Sequence, residues 1–156
     1  MEHMMIRIAP LQLSDRGRWS ELWSEYQTFY GVALPGAVTD ATWQRLHDGR
    51  VHGLVARDSG DRMMGLVHFL FHEDTWSTAP ACYLQDLYVD SAVRGSGCGR
   101  KLIEAVAEAS RHRGANSPYW LTHQSNAVAR RLYDRLGQNQ GFIQYIYATP
   151  ISPGQT

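Results

Sequence analysis

With 156 residues, 44% apolar and 19% charged, this chain has the size and composition of one globular domain with a substantial core. A formal net charge of +0 gives no overall basic field for nucleic acid. No apolar run is long enough to suggest a membrane span or a leader peptide. Cys82 and Cys98 form neither a disulfide framework nor a metal-ligand pattern, so a reduced, cytoplasmic chain without metal is expected. We expect a single domain over residues 1–150 and a short tail, 151–156.

Met5–Ala9 alternates as a short strand. Ser14 or Asp15 can cap a first helix in which Trp19, Leu22, Trp23, Tyr26, Phe29 and Tyr30 recur at three- and four-residue steps. Trp19, Leu22 and Trp23 read as core. Tyr26, Phe29 and Tyr30, at the end leading into Gly31, are candidate walls of a substrate site. After Pro35 and Gly36, Thr39 or Asp40 opens a second helix through Trp43 and Leu46. His52–Arg57 and Met63–Phe71 flank Asp58-Ser59-Gly60-Asp61, the pattern of a hairpin. A polar connection, His72–Pro80, precedes a central strand around Leu84–Val89. A helix then runs to about Arg113, with Gly114 as its C-cap. Tyr119–Thr122 is expected as a strand, Asn126 begins a helix ending at Gly137, and Gly141–Tyr147 is expected as a closing strand. The order β-α-α-β-β-β-α-β-α-β describes an α/β (α+β) protein, a mixed and mostly antiparallel sheet with helices on both faces.

Between the central strand and the third helix lies Arg94-Gly95-Ser96-Gly97-Cys98-Gly99-Arg100-Lys101. Glycines there leave the backbone bare where a helix presents unpaired N–H groups, an arrangement suited to phosphate or pyrophosphate. The spacing G-x-G-x-G is not the G-x-G-x-x-G of dinucleotide-binding folds, and Arg100 stands where a P-loop has Gly-Lys-Ser/Thr.

Arg-x-x-Gly-x-Gly at Arg94, Gly97 and Gly99, directly behind Leu87-Tyr88-Val89, resembles the acetyl-CoA signature of the GNAT superfamily of N-acetyltransferases. A second segment fits the same family: Asn126, Ala129, Leu132 and Tyr133 match Asn-x-x-Ala-x-x-Leu-Tyr. The resemblance covers about Val51 to Tyr147 and is nearest to the small histone- and polyamine-acetylating branch. It implies acetyl-CoA as co-substrate, held by Leu87, Tyr88, Val89, Arg94, Gly95, Ser96, Gly97, Cys98, Gly99, Arg100, Asn126 and Tyr133. Asn126 would hydrogen-bond the pantetheine arm, and Tyr133 would stand beside the thioester sulfur. Gln138-Asn139-Gln140 departs from the family, many members of which have phenylalanine directly after the helix-ending glycine.

An amine acceptor with an unperturbed pKa near 10.4 must lose a proton before it attacks. Asp86 is the first candidate base, with Glu73 and Asp74 behind it. The amide at or beside Val89 is the natural donor to the oxyanion, and Tyr133 to the departing thiolate. Glu73 and Trp76 join Tyr26, Phe29 and Tyr30 as candidate substrate contacts. The acidic residues Glu25, Glu73, Asp74 and Asp86 suggest an acidic mouth favouring a cationic acceptor: a polyamine, small amine or lysine side chain, free or in a peptide. An amino acid is also open. A non-catalytic acyl-CoA-sensing module is the alternative on the same fold. Cys98 has no base partner and reads as a small filler. His52, His68, His72 and His123 show no metal-ligand spacing and read as structural or surface residues. Small GNAT proteins often pair, and the Phe142–Tyr147 strand suggests a homodimer through that edge.

Overall fold

The computed structural model describes residues 4–148. The expected tail at 151–156 lies outside them. The chain groups into two compact units, 1–122 and 123–156.

In the first unit, β1 (Arg7–Pro10), β2 (His52–Arg57), β3 (Met63–His72) and β4 (Ala81–Val89) form an antiparallel sheet in chain order. The β2–β3 turn forms where Asp58-Ser59-Gly60-Asp61 predicts it. The Asp58 carboxylate accepts from the Gly60 and Arg62 amides and closes the bend. Helix α1 (Arg16–Phe29) follows a 3-10 turn at Leu13–Asp15. The Asp15 carboxylate accepts from the Gln12 amide and from Arg57, tying the helix entry to β2. Helix α2 (Gly36–His47) begins three residues earlier than Thr39, because Pro35 already presets the chain to enter a helix at Gly36. Helix α3 (Cys98–Arg113) ends at Gly114, whose φ of +71° closes the last turn.

Alternation along β3 assigns the helices to opposite faces. Leu66 packs in one cluster with Trp19, Leu22 and Trp23 of α1 and Leu46 of α2. A Cβ on Gly65 would lie 3.1 Å from Cys98 Sγ and 3.2 Å from Leu102 of α3. From Gly65 onward, past the β2–β3 register shift that leaves Met63 in the α1 cluster, even positions of β3 therefore face α1 and odd positions face α3. The stripe Leu102, Ile103, Val106 and Ser110 is the buried side of α3.

The strand expected over Tyr119–Thr122 does not form. Tyr119 makes one parallel bridge to Tyr83, with bonds from its amide to the Cys82 carbonyl and from the Leu84 amide to its own carbonyl. Continuing the ladder would require regular pairing beyond Leu84, where β4 bulges.

In the second unit, α4 (Ala127–Leu136) is capped by the Asn126 side chain, which accepts from the Ala129 amide. The helix ends at Gly137, as expected. The closing strand expected over Gly141–Tyr147 is not formed among the described residues. The segment is rich in aromatic and β-branched residues but joins no ladder, and a strand requires a paired neighbour.

Candidate active site

The β3–β4 register shifts by one residue at Gln85: His68 pairs with Asp86, whereas Phe69 pairs with Leu84. Cys82, on the near side of the shift, is hydrogen-bonded to Ser110 of α3 and so faces that helix. Without the extra residue every even position of β4 would face the same way. The bulge reverses the alternation, so Asp86 and Tyr88 turn toward α1. Tyr88 joins the core cluster there.

Asp86 consequently opens onto a cavity of about 450 Å³ rather than toward α3. Trp23, Tyr26 and Gln27 of α1 and Tyr30 at its C-cap line it, with Arg45 of α2 and His68 of β3. Val32, Leu34, Val38 and Val51 supply apolar wall, and Gln27 holds the Val32–Leu34 loop by accepting from the Leu34 amide at 2.8 Å. The Tyr26 hydroxyl hydrogen-bonds both Asp86 and Tyr30. Burial, and then the Asp86 charge, push the Tyr26 pKa well above its ordinary value, so this phenol stays a donor. His68, 1% exposed, bonds Asp86 Oδ2 through Nδ1 at 3.0 Å and Trp19 Nε1 through Nε2 at 3.0 Å.

His68, expected as a structural or surface residue, is instead a buried partner of Asp86; its signal in the sequence is a lone ionisable residue within the apolar run Leu66–Phe71, where burial demands a polar partner. Arg45 was missed too, since nothing in the sequence separates it from other helix-surface arginines.

Tyr26, Tyr30 and Asp86 thus line one cavity, and the other substrate candidates do not line it. Phe29 is half exposed, with the Arg94 guanidinium over its ring at 5.9 Å. Trp76 is 95% exposed on the β3–β4 connection. Glu73 is on that connection as well. The expected acidic mouth is not assembled around the cavity: Glu25 accepts from the Tyr88 hydroxyl, and Asp74 caps the turn at Trp76 and accepts from Asn116. Asp86 is the one carboxylate lining the cavity among the described residues.

At the far end of β4 the glycine loop has the geometry of an anion cradle. Asp90 accepts from the Ala92 amide and from Arg18 of α1 at 2.6 Å, and its carboxyl is held below the usual range by those two donors. Gly95 and Gly97 adopt φ of +81° and +86°, open to glycine and strained for other residues. Gly97 is the N-cap of α3 and supplies no side-chain cap, and the first ladder bond is from the Lys101 amide to the Gly97 carbonyl. The amides at 98–100 therefore face outward at the positive end of a 16-residue helix. The Ser96 hydroxyl is buried without a partner among the described residues, a further group that a bound anion would satisfy. Arg94 bonds the Val89 carbonyl and stacks on Tyr88, and Arg100 is engaged by Glu104.

Leu87 and Val89 lie on the edge strand of the sheet. The Asp90 amide bonds Met64 of β3, so alternation turns the backbone groups of Leu87 and Val89 toward the open side. An extended ligand arm could add to that edge. Cys98 is 1% exposed, and burial pushes its thiol up to about 11, consistent with a filler. Asn126 and Tyr133 belong to the second unit, Asn126 as the cap of α4 and Tyr133 half-buried in that helix. Among the described residues no group of three or more His, Cys, Asp or Glu could hold a metal ion, and no helix is long and apolar enough to cross a membrane.

Comparison with known proteins agrees with the fold. Residues 19–138 match the model of the acetyltransferase (GNAT) family. A D-amino-acid N-acetyltransferase of Saccharomyces cerevisiae is 33% identical over 144 residues, covering 90% of this chain and 89% of the relative. A thialysine N-epsilon-acetyltransferase of Mus musculus is 33% identical over 86 residues, 52% of this chain and 49% of the relative. The crystal structure of a ribosomal-protein-alanine N-acetyltransferase from Brucella melitensis superposes with a TM-score of 0.78 at 21% identity, over 93% of this chain and 99% of the other. With the family match spanning residues 19–138 and the yeast relative aligned over 90% of this chain, the protein belongs to the GNAT superfamily of N-acetyltransferases.

Proposed function

We propose that the chain transfers the acetyl group of acetyl-CoA to the amino group of an amino-acid-class acceptor, by direct attack in a ternary complex. The carrying observation is that one cavity is lined by the Asp86 carboxylate and the Arg45 guanidinium. The Arg45 side chain makes no hydrogen bond or salt bridge among the described residues, although its charge also acts on Asp48, which Arg50 holds directly. The buried Trp23 indole N–H, on a ring of the cavity wall, has no acceptor there either. A carboxylate satisfies both donors, and an ammonium group suits Asp86. A polyamine would meet a cation at Arg45 and only one carboxylate. The name of the yeast relative supports the same class.

Acetyl-CoA supplies an activated acyl group. The amides at 98–100, the Ser96 hydroxyl and Arg94 suit its pyrophosphate. Leu87 and Val89 offer backbone pairing to its arm, with the Val89 amide placed to receive negative charge developing on the acyl oxygen. Asp86 takes the proton from the acceptor ammonium, directly or through water. Tyr133 and Asn126 keep the roles implied by the family motif, proton donor to the thiolate and partner of the pantetheine arm. The family match crosses residue 122, which supports treating both units as one acetyltransferase domain.

The test is turnover, read as free thiol, across D- and L-amino acids, a lysine peptide, spermidine and an arylalkylamine. Amino acids should lead. Arg45→Ala should raise their KM about 10-fold, the low end for a charge-assisted bond at an exposed guanidinium, without changing KM for simple amines. Spermidine as best acceptor with Arg45→Ala silent would overturn the acceptor class and leave the transferase assignment standing. We also propose a homodimer through 142–147, where Phe142, Ile143, Tyr145, Ile146 and Tyr147 are each at least 75% exposed. Sedimentation of a monomer at micromolar concentration, with and without CoA, would contradict it.

A further inference from the structure

Asp86 can serve as a base only if its carboxylate is ionised and its free oxygen faces the acceptor. Two donors bear on that carboxylate. One is the Tyr26 hydroxyl, itself hydrogen-bonded to Tyr30; the other is His68 Nδ1 at 3.0 Å. An imidazole can present either nitrogen as donor, and the choice is set by what the other nitrogen meets. Here it meets Trp19 Nε1 at 3.0 Å, and an indole N–H can only donate. The His68 Nε2 must therefore be a bare acceptor, which leaves the single ring proton on Nδ1, aimed at Asp86. An imidazolium would set N–H against N–H inside the core, where Trp19 is 0% exposed and His68 1%.

We propose that His68 is a positioning residue for Asp86, held by Trp19 as the neutral Nδ1–H tautomer, so that the carboxylate receives a hydrogen bond without a counter-cation. The distinction matters chemically. A neutral donor orients the carboxylate and leaves it basic, whereas an imidazolium partner would neutralise it and weaken it as a base. The other groups facing this pair are few. Tyr26 comes from α1, Tyr30 from its C-cap, Arg45 from α2, and Tyr83 of β4 feels the Asp86 charge. On β2, Gly53 stands opposite His68 and carries no side chain. The β4 bulge brings the two partners onto one face; with regular pairing Asp86 would be on the α3 side. The lock at Trp19 and the bulge at Gln85 thus serve one carboxylate from two elements.

The inference rests on the reading of Asp86 as base, and the experiment separates the two. Imidazole ¹⁵N shifts of the whole protein at neutral pH, with His68 assigned by the spectrum of His68→Asn, should show the proton on Nδ1 and a bare Nε2. A proton on Nε2, or the paired shifts of an imidazolium, would overturn the inference whatever Asp86 does, and needs no variant to be active. In kinetics, His68→Ala should lower kcat about 10-fold or more with KM for acetyl-CoA unchanged. His68→Asn, whose amide can donate from near the Nδ1 position, should recover most of the loss. Equal kcat in the Ala and Asn variants, both folded, would reduce His68 to a core residue. Asp86→Asn with wild-type turnover would instead remove Asp86 as base while the tautomer measurement stood.

Discussion

The cradle gives the sharpest single-residue test, at Gly97. Its φ of +86° lies where a side-chain-bearing residue pays about 1–2 kcal/mol, and a β-branched one more. A Cβ there meets no protein atom within 4 Å beyond its chain neighbours, so the cost of Gly97→Val lies in the strained backbone rather than in a clash at Cβ. Against a typical domain stability of about 5–15 kcal/mol the variant should remain folded. The coenzyme is affected much more. The added side chain stands beside the amides at 98–100, in the space a pyrophosphate needs. Relief of the strained φ also turns those amides away. Losing two charge-assisted hydrogen bonds at about 1.5–3 kcal/mol each removes about 3–6 kcal/mol of binding. That is about 10²–10⁴-fold in Kd. Calorimetric titration with CoA reads the loss, and a circular-dichroism melt reads the fold. A folded Gly97→Val protein with wild-type CoA affinity would refute the placement of the pyrophosphate on this loop.

Three further outcomes follow from the same geometry. Tyr133→Phe should leave CoA binding intact by calorimetry and cut turnover by about 100-fold, within the range of general-acid catalysis; unchanged turnover would assign thiolate protonation elsewhere. Cys98, buried and with its thiol pushed up to about 11, should stay protonated at every pH below that value, so the folded protein should resist iodoacetamide at pH 8 at this position, as mass spectrometry of the labelled chain would read. Gly65→Ala should lower stability by about 1–3 kcal/mol, measured as a drop in Tm, because its Cβ would lie 3.0 Å from the Tyr88 carbonyl oxygen and 3.1 Å from Cys98 Sγ.

The elements legible in the sequence are those whose signal is local. The β2–β3 hairpin is announced by Asp58-Ser59-Gly60-Asp61, α3 by its 3.6-residue stripe and Gly114, α4 by Asn126 and Gly137. The glycine loop could be recognised because an anion cradle is built from consecutive residues. Tyr119–Thr122 and Gly141–Tyr147 have strand-like composition, yet pairing depends on a partner strand that no local pattern specifies. The acceptor site was half legible for the same reason. Tyr26, Tyr30 and Asp86 are the residue types a site needs, so the sequence suggests them. Whether Asp86 faces the cavity or the α3 side of the sheet turns on one unpaired residue, Gln85, and His68 acquires meaning only when the register sets it against Asp86. The acidic mouth failed because Glu25 and Asp74 are engaged by neighbours that the sequence does not reveal.

That register explains why a single strand can serve both halves of the reaction. Past the bulge, β4 presents two different chemistries on perpendicular sides. Its even side chains, Asp86 and Tyr88, point at α1, where one enters the acceptor cavity and the other anchors the core and takes the Arg94 guanidinium on its ring. Its odd backbone groups, at Leu87 and Val89, point along the sheet edge, where an acyl donor arm can pair. The two sides are offset by one residue, about 3.3 Å along the strand. A base at residue 86 and an amide at residue 89 are therefore held about 10 Å apart by covalent geometry alone, with no flexible loop between them. Donor and acceptor converge because the strand that ends in the glycine loop is also the strand that carries the carboxylate. The bulge sets which face that carboxylate takes, and Asp90, tied to Arg18 of α1, fixes where the strand stops and the cradle begins.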